Sequence, residues 1–331
     1  MDHSLVHYLE RSVSNNKKKI MKRFSLYLLF VVCAVSAGAQ RLVPIKFGDF
    51  ERWAVRYITD SKLLGGATKT VYEIAPVDTI RGNIPFSTKA SPWETSNVYA
   101  NPMGIAKASN SVEPEKRGNG TCARMDVKLE IVRALGIDIE VVVAGSIFLG
   151  KMYEPIKSAN DPYKNMDMGI AYTKRPKAIV FDYKTIVSPE NTMTKALGVR
   201  HKTIEGHDTP EVVVYLQKRW EDSEGRIHAL RVGTARLRFE TTQKQWHNDF
   251  RLPIRYGDIT SLPDFRSYEG LGFPFNMRNS KGKMTPIVEE GWADANATPT
   301  HLVVMFTSGC QPAFIGHIGN TLWVDNVRIE E

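Results

Sequence analysis

Segments in which apolar and polar side chains alternate with a period of two recur along this chain, and they leave little room for any fold other than an all-β one. Successive side chains of a strand point to opposite faces, so strict alternation marks a segment half buried in a sheet. One such run is Thr321-Leu322-Trp323-Val324-Asp325-Asn326-Val327-Arg328-Ile329-Glu330. Similar runs, rich in β-branched and aromatic residues, extend from Cys122 to Val132, Ile137 to Ala144, Ala178 to Ile186, Glu211 to Trp220, Arg226 to Phe239, Phe250 to Tyr256, His301 to Thr307 and Leu322 to Ile329. Clusters of Gly, Pro, Asn and Asp bound them, as turns require. A helix over Val127–Leu135 is the one competitor, and Gly136 with the β-branched run behind it argues against that reading. Residues 101–120 and 257–300, rich in Gly, Pro, Ser and Asn, read as two long irregular segments of the kind that carry ligands. Internal repeats are absent.

Residues 1–39 read as an address rather than as structure. Lys17, Lys18, Lys19, Lys22 and Arg23 precede an apolar run from Leu26 to Val35, followed by Ala37-Gly38-Ala39. That order is a secretory signal with cleavage before Gln40, and translation starting at Met21 suits it equally. The apolar run is too short for a stable membrane anchor. The expectation is an exported protein, periplasmic, surface-associated or secreted, with residues 40–331 forming one β domain and no transmembrane segment. Half of the chain's net charge of +8 lies in the address, leaving the rest only mildly basic. With no Lys/Arg stripe interleaved with aromatics, the footprint of a nucleic-acid binder is missing. Cys122 and Cys310 are the cysteines left after cleavage, and an oxidising compartment makes a bridge between them an expectation, with two buried thiols as the alternative.

Four segments together resemble a known family. They are Gly118-Asn119-Gly120-Thr121-Cys122-Ala123-Arg124-Met125, Ala144-Gly145-Ser146-Ile147-Phe148-Leu149-Gly150, Arg175-Pro176 leading into Phe181-Asp182-Tyr183-Lys184, and Gly319-Asn320-Thr321-Leu322-Trp323-Val324-Asp325-Asn326-Val327. In order and spacing they are similar to the putative carbohydrate metabolism domain family, exported proteins of gut-dwelling Gram-negative bacteria, over about residues 47–331. The resemblance implies a jelly-roll β-sandwich akin to galactose-binding-like domains and carbohydrate-binding modules, with a poly- or oligosaccharide as partner. It does not by itself imply a reaction.

Candidate site residues follow from that expectation. Modules of this shape hold a structural Ca²⁺ near paired terminal strands, and the resemblance makes Glu51 and Asp325 candidate ligands; a hard cation would need further oxygens from backbone and water. Otherwise the two acids face solvent or pair with Arg52 and Arg328. Sugar rings stack apolar C–H faces on aromatics while their hydroxyls seek charged and amide groups. Trp292, Trp93 and Trp246, in or beside polar loops, are the platform candidates, Trp292 first, whereas Trp53 and Trp323 read as core. From Ala178 onward, Ile179, Phe181 and Tyr183 share a core face, and Asp182 and Lys184 share the other, as a polar ligand contact or an exposed ion pair. Arg117 flanks a Gly-rich turn as a further ligand contact or a solvated charge.

No catalytic pattern is legible. A glycoside hydrolase needs two carboxyl groups ~5–5.5 Å or ~6.5–9.5 Å apart. Glu289 and Glu290 are adjacent and would point oppositely in a strand, while Glu221, Asp222 and Glu224 read as a turn. His201, His207 and Asp208 lack a zinc spacing, and Gly-x-Ser-x-Gly is absent. The sequence therefore supports non-covalent glycan binding, with a glycoside hydrolase of unrecognised carboxylate pair and a structural or adhesive surface module as alternatives.

Overall fold

Alternation of the kind described above builds two large sheets. The computed structural model describes residues 41–134, 137–158 and 162–331; the expected signal segment, with Met21 and Cys33, lies outside the described residues. The only helical pieces among them are short 3-10 turns such as Lys62–Leu64 and Pro102–Gly104. Val127 and its neighbours, where a helix competed, belong to the long strand Gly120–Ala134. No described helix is long and apolar enough to cross a membrane.

The first sheet runs Leu197–Gly198, Ile137–Ala144, Gly120–Ala134, Thr321–Glu330, Ala178–Ile186, Gln243–Pro253, with Leu42–Pro44 also paired to Thr321–Glu330 and Val112–Arg117 to Gly120–Ala134. The early strand Leu42–Pro44 thus meets the late one, with Leu42 opposite Glu330. The second sheet carries Glu211–Glu221 between His301–Thr307 and Ile227–Arg238 and continues through Met284–Trp292, Asn276–Arg278 and Met166–Met168 to Ser146–Met152. Ser146–Met152 also pairs with His301–Thr307, so this sheet closes into a ring.

Two cores result. Ala123, Met125, Ile179, Phe181, Leu322 and Val324 of the first sheet meet Val212, Val214, Leu216, Val304 and Phe306 of the second in one apolar cluster, the filling of a sandwich. The opposite face of the second sheet fills the ring with Phe148, Met168, Val213, Tyr215, Ile287 and Val303. The segments that read as irregular are partly ordered: residues 101–120 include Lys107–Ser109 and Val112–Arg117, and residues 257–300 include Asn276–Arg278 and Met284–Trp292. Lys107–Ser109 and Val112–Arg117 are each paired on one side only, while Asn276–Arg278 and Met284–Trp292 are paired on both sides within the ring.

Cys122 and Cys310 are free thiols, which corrects the expected bridge. Cys122 sits on the solvent-side face of the first sheet, where its Sγ donates to the Glu115 carbonyl at 3.4 Å. Cys310 follows His301–Thr307 and lies against Thr209 Oγ1 at 3.7 Å. Sequence proximity to strand ends did not place the two in one spot.

Candidate functional site

The first sheet has its core residues on one face, so every second side chain of four adjacent strands lies on the other. Register places these in rows. Glu113 stands opposite Arg124, Arg124 opposite Trp323 and Trp323 opposite Lys184. One row further, Asp325 stands opposite Asp182. Arg117 ends its strand at a tight turn through Gly118, whose φ of +57° falls in the left-handed region that glycine tolerates. That turn delivers the Arg117 guanidinium over the second row. Its Nη1 lies 2.5 Å from Asp325 Oδ2 and 2.9 Å from Asp182 Oδ2, and Nη2 donates to Asn248 Oδ1 at 2.6 Å.

Asp182 is held from both neighbouring strands. Asp249 N–H donates to its Oδ1 at 2.8 Å and Asn326 Nδ2 to its Oδ2 at 2.9 Å. Both donors sit where the register of the pairing shifts, between Phe181 and Tyr183 on one side and between Val180 and Asp182 on the other. Both have left-handed backbones, φ 54° at Asp249 and 51° at Asn326. These are β-bulges, which re-aim side chains and local donors; here two of them flank one carboxylate. Arg328 adds a contact at 3.4 Å.

The rows set the electrostatics. Burial would raise Asp182, but hydrogen bonds from Asn326, Asp249 and Arg117 together hold its carboxyl below the usual range. Asp325 has fewer donors, and burial pushes it up to about 6 despite Arg117. Burial, aided by Asp325 and Glu115, raises the Cys122 thiol to about 12, so it is not a nucleophile at neutral pH.

Aromatics complete the face. The Arg117 guanidinium lies 3.9 Å from the Trp246 ring centroid, and Lys184 Nζ lies 4.1 Å from that of Trp323 and 5.7 Å from that of Trp246. Trp246 is half-buried within the strand Gln243–Pro253 rather than in a loop. Trp323, which read as core, is buried under Lys184 and Arg124 on this outer face. Lys184 pairs with Glu115 at 3.4 Å and not with Asp182, so the expected exposed ion pair does not form. Arg117 is likewise no solvated charge. Of the residues selected from sequence, Arg117, Asp182, Lys184, Trp246 and Asp325 share this one face.

The others lie elsewhere. Trp93 is fully buried, packed edge-on to Phe50 at 5.5 Å, and fills the sandwich core, which excludes it as a platform. Trp292 is the final residue of the strand Met284–Trp292, half-buried, with Arg231 5.7 Å from its ring. Trp53 is core, as read. Glu51 accepts from Thr121 N–H at 3.1 Å, against Gly120, where any side chain would strike its carboxylate. Glu51 and Asp325 do not fit a shared calcium site: Asp325 faces a guanidinium, and the described residues include no group of three or more His, Cys, Asp or Glu placed to hold a metal. The acids adjacent at 289 and 290 do diverge: Glu289 binds Arg231 inside the ring at 2.5 Å, and Glu290 reaches His228.

Two further features bear on where a ligand binds. A cavity of about 290 Å³ opens beside the ring, walled by Val98, Met152, Met166, Phe273, Met305 and Phe314. Its one buried acid, Glu211, is already bound by Arg236 at 2.6 Å and Arg238 at 3.2 Å, so this mainly apolar space offers little to sugar hydroxyls. A separate buried network joins Arg56 to Glu73 at 2.5 Å and to Glu154 at 2.6 Å. Burial raises Glu73 to about 8 and neighbouring Glu94 to about 7. Glu154 also accepts from the backbone N–H groups of Phe86 at 2.8 Å and Tyr99 at 2.6 Å, which marks the network as a strut between segments.

Sequence reasoning missed Asn248, Asp249 and Asn326, and it offered Arg328 as a partner of Glu51 or Asp325, whereas Arg328 pairs with Asp182 and Asp249. A signal for Asn326 was present, since the core residues Leu322, Val324, Val327 and Ile329 are spaced two, three and two apart, and the extra residue is the bulge.

None of the curated proteins resembles the chain closely enough to count as a relative. Among solved structures, a putative glycoside hydrolase from Bacteroides thetaiotaomicron shares 16% identity at a TM-score of 0.47, with 88% of this chain aligned to 71% of that one. Another from Bacteroides vulgatus shares 13% identity at a TM-score of 0.44, with 79% of this chain aligned to 92% of that one. The family pattern described as Putative carbohydrate metabolism domain matches residues 68–330. That span takes in both sheets and the whole outer-face cluster, and it settles membership: the chain belongs to the putative carbohydrate metabolism domain family.

Proposed function

We propose that the chain is an exported carbohydrate-binding protein that holds a poly- or oligosaccharide non-covalently on the outer face of the first sheet. The observation that carries this reading is the Trp246 ring stacked on Arg117, itself anchored to Asp182, Asp325 and Asn248. A fixed aromatic beside charged and amide groups is what a pyranose ring needs, an apolar surface to stack on and partners for its hydroxyls. Lys184, lying over the buried Trp323, extends the same surface. Both carboxylates are engaged by one guanidinium, which favours holding a ligand over proton transfer to it. Export is carried into this reading by the sequence of residues 17–39 alone.

Hydrolysis is the second reading, favoured by one observation. Asp182 and Asp325 are displaced in opposite directions, Asp325 to about 6, as an acid and a nucleophile require. Their Oδ2 atoms bond one nitrogen, at 2.9 and 2.5 Å, so those oxygens are closer together than the ~6.5–9.5 Å of an inverting pair, and only the retaining geometry of ~5–5.5 Å is left to this reading.

Calorimetry on residues 40–331 with an oligosaccharide selected from a glycan array tests both. Trp246→Ala is expected to weaken binding by about 1–3 kcal/mol, as loss of an aromatic stacking platform does elsewhere. An unchanged dissociation constant in a folded variant refutes this site. Release of reducing ends that vanishes in Asp325→Asn replaces binding with hydrolysis.

A further inference from the structure

The second sheet extends past the sandwich at one end. His301–Thr307 pairs with Glu211–Glu221 only as far as His301 opposite Gln217, while the pairing with Ile227–Arg238 continues to Glu221 opposite Ile227. Lys218 and Trp220 follow Val212, Val214 and Leu216 along one face, but no strand residue pairs with Trp220 on the His301–Thr307 side. Trp220 is 41% exposed, more than any other described tryptophan.

Its ring is nonetheless fixed. His228, directly opposite on the neighbouring strand, stacks on it at 5.4 Å between centroids and 15° between planes. The imidazole is clamped at both nitrogens, Nδ1 2.6 Å from Glu290 and Nε2 3.1 Å from Asp222. Asp222 is fixed in turn by the hairpin, accepting from Arg226 Nε at 2.7 Å. One face of Trp220 is thus taken by a clamped ring, and the side away from it has no paired strand. Glu290, itself only half covered, supplies carboxylate oxygens at the rim.

We propose that Trp220 is a second sugar-binding platform, taking one pyranose ring on the face away from His228. The class of ligand rests on the carbohydrate reading above; the position does not, because Trp220 belongs to the other sheet and shares no residue with the Trp246 face. An indole already held flat by its stacked neighbour offers its free face without ordering a side chain on binding, which suits the apolar C–H face of a pyranose. Two platforms on one chain would let a long glycan be held at separate points, with avidity above either site alone.

The test uses residues 40–331 as parent, Trp220→Ala, Trp220→Phe, Trp246→Ala and the Trp220/Trp246 double alanine variant, each checked for an intact melting transition. The probe is a glycan array of plant, fungal and mucin oligosaccharides. Trp220→Ala is expected to weaken array binding about tenfold, Trp220→Phe to recover part of it, and the double variant to bind less than either single one. Unchanged binding by Trp220→Ala overturns the second platform and leaves the Trp246 site standing. Loss with Trp220→Ala but not with Trp246→Ala keeps this platform and removes the other. A parent that binds no glycan on the array overturns both.

Discussion

Asp182 and Asp325 stand directly opposite each other on adjacent strands, and one nitrogen of Arg117 serves both. Two carboxylates placed side by side with little exposure repel, and the fold tolerates the arrangement because a cation from a third strand is set between them.

Removal of that cation has a stated cost. Breaking a buried ion pair from one side is destabilising by ~3–5 kcal/mol, and the partial exposure of Arg117 puts Arg117→Ala at the lower end, about 3 kcal/mol. The loss should be larger at pH 7.5 than at pH 5, because without Arg117 the facing acids can relieve their repulsion by protonation. Arg117→Lys restores charge but not the planar fork, so it should recover only part of the stability. Urea unfolding at the two pH values measures all three; a loss that does not depend on pH contradicts the role given to Arg117.

Several acids are displaced upward together. Asp325 is raised to about 6, Glu94 to about 7 and Glu73 to about 8, in each case chiefly by burial. An acid whose folded pKa exceeds its unfolded one binds more protons when folded, so its contribution is present at low pH and is lost as pH rises through the folded value. Stability is therefore expected to fall from pH 5 to pH 8. Asp182, held below its ordinary value, acts in the reverse sense, and only towards the acid end. Asp325→Asn and Glu94→Gln should each flatten the slope. Denaturation midpoints that rise between pH 5 and pH 8 would count against these assignments.

The two bulges offer a matched comparison. Asp249 gives Asp182 only its backbone N–H, which glycine retains, and glycine adopts φ 54° without strain. The Asp249 carboxylate also pairs with Arg328 at 2.8 Å but is largely exposed, a contact of little weight, so Asp249→Gly is expected to change stability by no more than about 0.5 kcal/mol. Asn326 gives Asp182 its side-chain amide, so Asn326→Gly should lose about 1 kcal/mol for the hydrogen bond. Thermal melts of the pair decide it; equal effects would mean the amide bond contributes nothing.

Much of the architecture was legible because it is written in alternation. Ile179, Phe181 and Tyr183 face the core as their spacing required. What escaped is whatever depends on a second strand. Trp323 falls between the core residues Leu322 and Val324, so alternation puts it on the outer face, yet a large apolar side chain covered there by cations looks the same in sequence as one covered by a second sheet. Trp93 sits among polar residues and still lies at zero exposure, since a short edge strand can insert one aromatic into a core without any periodic signal. Arg117 and Asp325 are 208 residues apart, and no local pattern couples them.

That separation governs the order in which the molecule is made. Thr321–Glu330 is an interior strand, inserted between Gly120–Ala134 and Ala178–Ile186, both of which leave the ribosome long before it. Until it arrives, each exposes an unpaired edge with an apolar face, the state most open to wrong partners. The outer-face cluster is equally late, because Asp325 and Trp323 come with that strand. Such long-range pairing slows folding, so the first sheet and the charged cluster on its outer face stay open until Thr321–Glu330 has been made.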